Sequence, residues 1–167
     1  ITTHKSHNYL TINKGTRDGI AEDMGVVCYS GVVGIVSAVS EKYALVVPTI
    51  HTEMNLSCRL KKNDYVGRTQ WMGKNYQQVA LKDISRHISV ERGDTVITSG
   101  LTPIFPEGIM VGIVEETSLN ISDNYHQTTL QLSTDYRSIK YVQVIKNRAS
   151  QLINNDNSPT QWSGLKK

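Results

Sequence analysis

The chain has 167 residues, of which 38% are hydrophobic and 20% charged, a composition typical of a folded globular protein with its own core. Its 18 basic residues exceed the 15 acidic ones only slightly, and no run of Lys and Arg is longer than two, so the charge does not indicate nucleic-acid binding. Two cysteines, Cys28 and Cys58, are too few for a disulfide framework, and no apolar run approaches the roughly 20 residues that cross a bilayer.

Short β patterns separated by turns fill most of the chain. Leu10 and Ile12 alternate with polar neighbours, whereas 32–39 and 44–47 are apolar on both faces and predict buried strands. No segment keeps a helical period for more than about two turns, and 84–91 is predicted to be an irregular connection. About eleven strands are predicted, at 9–13, 25–30, 32–39, 43–48, 54–60, 65–71, 77–82, two within 93–114, 127–133 and 141–146.

Two ends of the chain differ from this pattern. The last stretch, 148–167, is rich in Asn, Gln, Ser and Pro and predicts a disordered polar tail. The first residue is Ile1 rather than Met, so we expect a fragment of a longer protein.

A weak internal repeat links two parts of the chain. Residues 27–31 match residues 96–100, and each match is followed by a Gly-Ile-Val strand, Gly34-Ile35-Val36 in the first case and Gly112-Ile113-Val114 in the second. The repeat predicts two similar β units in one chain.

The stretch 93–100 superficially resembles part of a hydrolase. Ser99 precedes a glycine, and Asp94 and His87 are close to it in sequence, but Gly-x-Ser-x-Gly is absent. A nucleophile needs a base within hydrogen-bond reach and a group that orients the base. We therefore favour a structural turn and expect no catalytic residue, with a protease-like hydrolase that uses Ser99 or Ser30 with His87 as the alternative.

Metal and cofactor sites are not indicated. His51 and Glu53 would share the face of a strand, but a zinc site needs at least three ligands. Gly31-Val32-Val33-Gly34 does not open a helix, and no phosphate-binding loop motif occurs. We expect no metal and no cofactor.

A rigid apolar loop and one hairpin supply the candidate partner contacts. Ile104, Phe105 and Pro106 form a loop that is either a plug folded over its own barrel or an exposed docking surface. Tyr65 and Trp71 lie around the hairpin predicted at Gly73-Lys74-Asn75, where they would pair across strands or face a partner.

Several of these pieces together resemble one family. The chain resembles the extracytoplasmic β domain of MreC, the rod-shape-determining family of bacteria, in the segments 8–15, 18–20, 25–27, 31–36, 86–87, 93–100, 105–109 and 111–112. The most specific part is Thr-Ser-Gly followed by Phe-Pro-x-Gly-Ile-x-Val-Gly. The positions that carry the motif are Gly15, Gly31, Gly34, Gly93, Asp94, Thr98, Ser99, Gly100, Gly108 and Gly112.

The resemblance implies an all-β fold of two small six-stranded β-barrels, distantly like those of chymotrypsin-type proteases but without their triad, and with little helix. Strand counting assigns 6–50 plus 125–147 to a first, discontinuous barrel and 51–124 to a second barrel inserted in it. The tail at 148–167 lies outside both.

The resemblance also implies a function. It implies a non-enzymatic scaffold of the peptidoglycan elongation machinery, located in the periplasm and anchored to the inner membrane by a segment outside this chain. Implied partners are a class B penicillin-binding transpeptidase, MreD, RodA and, indirectly, MreB, together with self-association into dimers or filaments. A β module that binds peptidoglycan directly is a further alternative, although two tryptophans are few for a sugar-stacking platform.

Overall fold

The computed structural model describes residues 7–146, which form eleven strands and one short 3-10 helix. The predicted tail at 148–167 lies outside the described residues. The strands are β1 Leu10–Ile12, β2 Gly25–Cys28, β3 Gly31–Val39, β4 Ala44–Pro48, β5 Ser57–Leu60, β6 Val66–Gln70, β7 Gln78–Lys82, β8 Thr95–Thr98, β9 Met110–Ser118, β10 Gln127–Leu132 and β11 Gln143–Ile145. The helix is Thr16–Asp18.

The strands form two sheets in which all neighbours are antiparallel. The first is a five-stranded sheet in the order β1-β4-β3-β2-β11, and the second is a closed barrel in the order β10-β7-β6-β5-β8-β9. The predicted all-β fold of two β units with little helix is confirmed. Within residues 7–146, however, only the second unit is closed by a sixth strand.

One strand lies in a different unit from the one predicted for it. The sequence assigned 127–133 to the first barrel, but β10 pairs with β7 and β9 in the closed barrel, while β11 returns to the first sheet beside β2. This part of the predicted partition is wrong. The reason is that β9 and β10 are consecutive strands joined by residues 119–126, and consecutive strands favour pairing with each other, whereas alternation within a strand does not identify its neighbour.

The internal repeat corresponds to a structural repeat. The hairpin of β2 and β3 has a bulge between Val26 and Val27, and the pair β8 and β9 has one between Val96 and Ile97. Gly34 and Gly112 each lie where a Cβ would overlap a carbonyl oxygen of the next strand, that of Val47 in β4 or of Gln131 in β10. Both glycines allow the third strand of a meander to approach closely.

Candidate functional site

The serines proposed as nucleophiles are bonded to structural partners. The Ser99 hydroxyl lies 2.7 Å from that of Ser57 and accepts a bond from the Leu101 N–H at 3.2 Å. The Ser30 hydroxyl lies 3.1 Å from the Cys28 sulfur. Within residues 7–146 neither serine is bonded to a histidine nitrogen, so the geometry does not assemble a nucleophile with its base.

The motif around Thr98 builds a loop instead. The buried Thr98 hydroxyl donates to the Pro106 carbonyl at 2.6 Å and accepts from the Ile109 N–H at 2.9 Å, which ties the two ends of the β8–β9 loop together. Gly100 turns the chain there with a φ of 73°, in the left-handed region that favours glycine. Asp94 accepts a bond from the Glu91 N–H and pairs with Lys62 at 2.7 Å.

The other motif glycines lie at turns or at the starts of elements. Gly93 and Gly108 lie in turns, Gly31 begins β3, and Gly15 precedes the 3-10 helix. These glycines therefore have a structural role in the backbone.

Phe105 joins the two units instead of facing a partner. Its side chain is 2% exposed and lies so close to Gly25 of β2 that a Cβ there would be 2.6 Å from the ring. The loop is therefore a plug, and its ring packs on the first sheet. The prediction of Phe105 as a direct partner contact is wrong, because an aromatic ring gains more by filling this apolar gap than by staying in water.

Trp71 is also unavailable to a partner. It is 2% exposed, and its indole N–H donates to the Asn75 carbonyl at 2.7 Å within the β6–β7 hairpin. This candidate is corrected for the same reason. Ile104 and Tyr65 are half-buried and Pro106 is exposed, so these three stay predictions.

A second junction lies in the connection from β10 to β11. Tyr136 is 1% exposed, and its hydroxyl lies 2.6 Å from that of Thr49 and donates to the Val33 carbonyl at 2.5 Å. The neighbouring Thr134 hydroxyl donates to the Val32 carbonyl at 2.8 Å. Sequence reasoning missed both residues, because nothing local distinguishes a tyrosine that enters a core from one on a loop surface.

The largest exposed apolar side chains lie in loops and turns. Tyr29 is 98% exposed, Tyr141 87% and Ile121 96%. Tyr29 and Tyr141 line the same small cavity of about 200 Å³, beside Cys28 and Ile139. An aromatic residue in an otherwise polar turn is the one sequence signal that could have marked Tyr29.

The two cysteines are both free thiols in the structure. Burial raises the pKa of Cys58 to about 12. For Cys28, burial also favours the neutral thiol, but hydrogen bonds from Ser30, Thr134 and the backbone outweigh it and lower the pKa. Cys28 is therefore the more nucleophilic of the two.

No group of three or more His, Cys, Asp and Glu side chains that could hold a metal ion occurs within residues 7–146. None of the helices formed by those same residues is long and apolar enough to cross a membrane.

The buried ring of His51 packs against two exposed rings beside β1 of the first sheet. The ring is 2% exposed, packs edge-on against His7 at 5.0 Å and Tyr9 at 5.1 Å, and accepts a bond from the Glu53 N–H on its Nδ1. Its Nε2 is buried and has no hydrogen-bond partner among residues 7–146. Burial, with a smaller contribution from the charge of His7 and partly offset by Glu53, lowers the pKa of His51 below its usual 6.5.

We expect His51 to make stability depend on pH. Because the folded-state pKa is lowered, the unfolded chain binds the proton more readily, so the free energy of unfolding falls as the pH drops below 6.5 towards the folded value. The His51→Gln variant should lose less stability than the wild type between pH 7 and pH 5 in urea titrations. His87→Gln, at an exposed position, is the control, and equal pH slopes for all three proteins would contradict the assignment.

The sequence of this chain matches one family of known proteins. The family model described as the barrel core of the rod shape-determining protein MreC matches residues 1–146. The cell shape-determining protein MreC of Listeria monocytogenes is 25% identical over 146 residues, which cover 86% of this chain and 50% of that protein. The chain spans between about a third and a half of the curated relatives from Listeria, Haemophilus influenzae and Escherichia coli that it matches.

Solved structures share the fold. The crystal structure of MreC from Pseudomonas aeruginosa superimposes with a TM-score of 0.79 at 22% identity and covers 86% of this chain and 91% of its own. A complex between the penicillin-binding protein PBP2 and MreC from Helicobacter pylori contains a chain that matches with a TM-score of 0.68 at 21% identity, over 89% of this chain and 92% of that chain.

Proposed function

Because this chain belongs to the MreC family of rod shape-determining proteins, we propose that it is a non-enzymatic scaffold in the machinery that determines cell shape. The observation that carries the proposal is the match of the family's barrel core to residues 1–146, which include every strand of both sheets. The curated relatives that it matches are named cell shape-determining proteins.

Two features of the fold support a scaffold role. The Ser99 and Ser30 hydroxyls are bonded to Ser57 and Cys28, which leaves the hydrolase alternative without an activated nucleophile. Phe105 and Tyr136 each tie the closed barrel or its exit connection to the first sheet. A scaffold benefits from such ties, because they hold surfaces on the two units in one relative orientation for partners that bind both.

A penicillin-binding transpeptidase is the first partner to consider. A solved complex contains PBP2 with MreC from Helicobacter pylori, whose fold this chain shares. By extension, the chain would act in the periplasm, anchored to the inner membrane by a segment of the longer protein, with MreD, RodA and, indirectly, MreB as further partners and with self-association. Direct binding of peptidoglycan has no specific observation in its favour.

Co-purification tests the proposal. The full-length, membrane-anchored protein is expected to retain the class B penicillin-binding transpeptidase of the same cell, and its deletion is expected to turn rod-shaped cells round. In contrast, a hydrolase would be labelled by a serine-directed fluorophosphonate in a manner that depends on His87. Failure to retain the transpeptidase, or His87-dependent labelling together with loss of shape in His87→Ala, would overturn the scaffold proposal.

A further inference from the structure

The first sheet has two edges that face the same gap. Among residues 7–146, β1 pairs only with β4 and β11 pairs only with β2, so within this part of the chain each has one side without a neighbouring strand. Exposed strand edges present backbone N–H and C=O groups that favour pairing with a further strand.

The closed barrel has a strand at the position that corresponds to this gap. Five neighbouring strands of the barrel, β7-β10-β9-β8-β5, correspond in order to the five strands of the first sheet, β1-β4-β3-β2-β11. In the central strands of both units, the bulges lie at corresponding positions, and so do Gly34 and Gly112. In the barrel the remaining strand, β6, lies between β5 and β7 and is antiparallel to both. No described residue forms the corresponding strand between β11 and β1, which run parallel to each other and could both pair with one antiparallel strand.

The gap is a groove lined by both aliphatic and polar residues. A cavity of about 1,040 Å³ lies along it, and its aliphatic lining comes from both edge strands and from the segments beside them. These side chains are Leu10, Ile12, Ile20, Ile139, Val142 and Val144. Side chains at alternate positions of an added strand would pack on them.

The rim of the groove is basic. Lys14 and Lys140 lie on it, and the one acidic lining residue, Asp18, pairs with Lys14 at 3.0 Å. Hydrogen bonding by the Gly15 N–H, and then by Lys14, lowers the pKa of Asp18, so the pair stays ionised and neutral overall. The charged side chains that line the groove therefore have a net positive charge, which comes from Lys140. The Lys146 ammonium lies close to Gly19 and adds a second positive charge nearby. An occupant with acidic flanks would complement these cations.

We propose that the groove between β1 and β11 binds an extended segment of a partner protein, with aliphatic side chains at alternate positions and acidic flanks, as the sixth strand of the sheet. This mode of recognition is strand addition, in which main-chain bonds supply affinity and the pockets select alternate side chains. The proposal rests on the proposed function, since the partner would be a member of the assembly that the scaffold organises.

The shape of the gap favours a free segment over a second copy of the chain. The equivalent position in the closed barrel holds a single strand, β6, with a neighbour on each side. A strand that enters the gap in the same way would be bordered on both sides, which the edge strand of an intact second sheet can achieve only by giving up its own neighbour. A partner segment in extended conformation meets no such obstacle.

A synthetic peptide tests the inference. The probe has valine at alternate positions, threonine between them and two glutamates at each end, and is titrated calorimetrically into the full chain. We expect saturable binding with one peptide per chain, and protection of the β1 and β11 amides from hydrogen exchange. The Val144→Glu variant should weaken binding at least about tenfold, because it places a charge among apolar groups. Gln143→Glu, on the opposite face of the same strand, should leave binding unchanged.

A second pair of measurements covers the case in which Val144→Glu does not fold. Lys140→Glu, at an exposed rim position, should weaken the peptide with glutamate flanks and strengthen one with lysine flanks. Equal binding by all variants, or none by the wild type, would overturn the inference.

Three further outcomes would also overturn it. Binding that appears only when the chain ends at Lys146 would assign the groove to residues 147–167. Dimers in sedimentation equilibrium that Val144→Glu dissociates and the peptide displaces would assign it to a second copy. If the Val144→Glu variant still binds the transpeptidase and supports rod-shaped cells but no longer binds the peptide, the groove is not the partner site, whereas the proposed scaffold function is unaffected. If the wild type itself fails to retain the transpeptidase, the proposed function fails instead.

Discussion

Replacement of Phe105 by alanine is expected to lower the free energy of unfolding by about 3–5 kcal/mol, the range for truncating a large buried aromatic side chain. The ring is 2% exposed and packs directly on Gly25, so its removal leaves a cavity that faces the backbone of β2. Backbone in a paired strand cannot collapse into that space, which places the cost in the upper part of the range. Urea unfolding of the wild type and the variant measures the difference.

Pro106 provides the matched control. It is the next residue in the same loop but is exposed, so Pro106→Ala should change stability by less than about 1 kcal/mol. The two results together separate the plug from the docking interpretation. Unchanged stability in Phe105→Ala, with loss of the penicillin-binding transpeptidase in co-purification, would return Phe105 to the partner surface.

The second large effect is expected from Tyr136→Phe, which removes one hydroxyl from the junction with the first sheet. That hydroxyl donates to the Val33 carbonyl at 2.5 Å and lies within hydrogen-bond distance of both the hydroxyl and the N–H of Thr49. A buried polar group that loses its partner costs about 1–3 kcal/mol. The Thr49 N–H keeps its bond to the Val33 carbonyl at 3.1 Å, so we expect about 2 kcal/mol.

Tyr141→Phe removes the same atom from a side chain that is 87% exposed, and it should leave the free energy of unfolding unchanged. Equal effects of the two substitutions would show that the Tyr136 hydroxyl does not stabilise the junction. Amide hydrogen exchange offers an independent readout, since Tyr136→Phe should increase exchange in β3 and β4 more than in the closed barrel.

Local sequence patterns predict much of the fold. Alternation predicted strands near the observed positions, and the turn at Gly73-Lys74-Asn75 correctly joined β6 to β7. The repeat of 27–31 in 96–100, each followed by Gly-Ile-Val, correctly predicted two related β units, because Gly34 and Gly112 of the following strands allow the same close approach of a neighbouring strand. These features depend on the chain's near neighbours, so they are visible without the rest of the molecule.

The candidate site was less accessible to this reasoning. Phe105, in a rigid apolar loop, and Trp71, beside a predicted hairpin, are candidate partner contacts by sequence alone. Both side chains are buried in the structure, because burial depends on which distant residues pack at that position. The exposed aromatic residues Tyr29 and Tyr141 passed unnoticed for the same reason. Composition marks a side chain that can bind a partner, but the neighbours decide whether it is free to do so.

The sequence by itself determined the family, the all-β class, the existence of two units and the lack of a Gly-x-Ser-x-Gly motif, because these follow from motifs and from periodicity along the chain. Only the tertiary structure decided that β10 closes the second barrel, that β11 returns to the first sheet, and that a groove is left open between β1 and β11. The physical reason is that strand pairing is a choice among distant edges with equivalent backbone groups. That choice is made by packing across the whole molecule and not by the residues of any one strand.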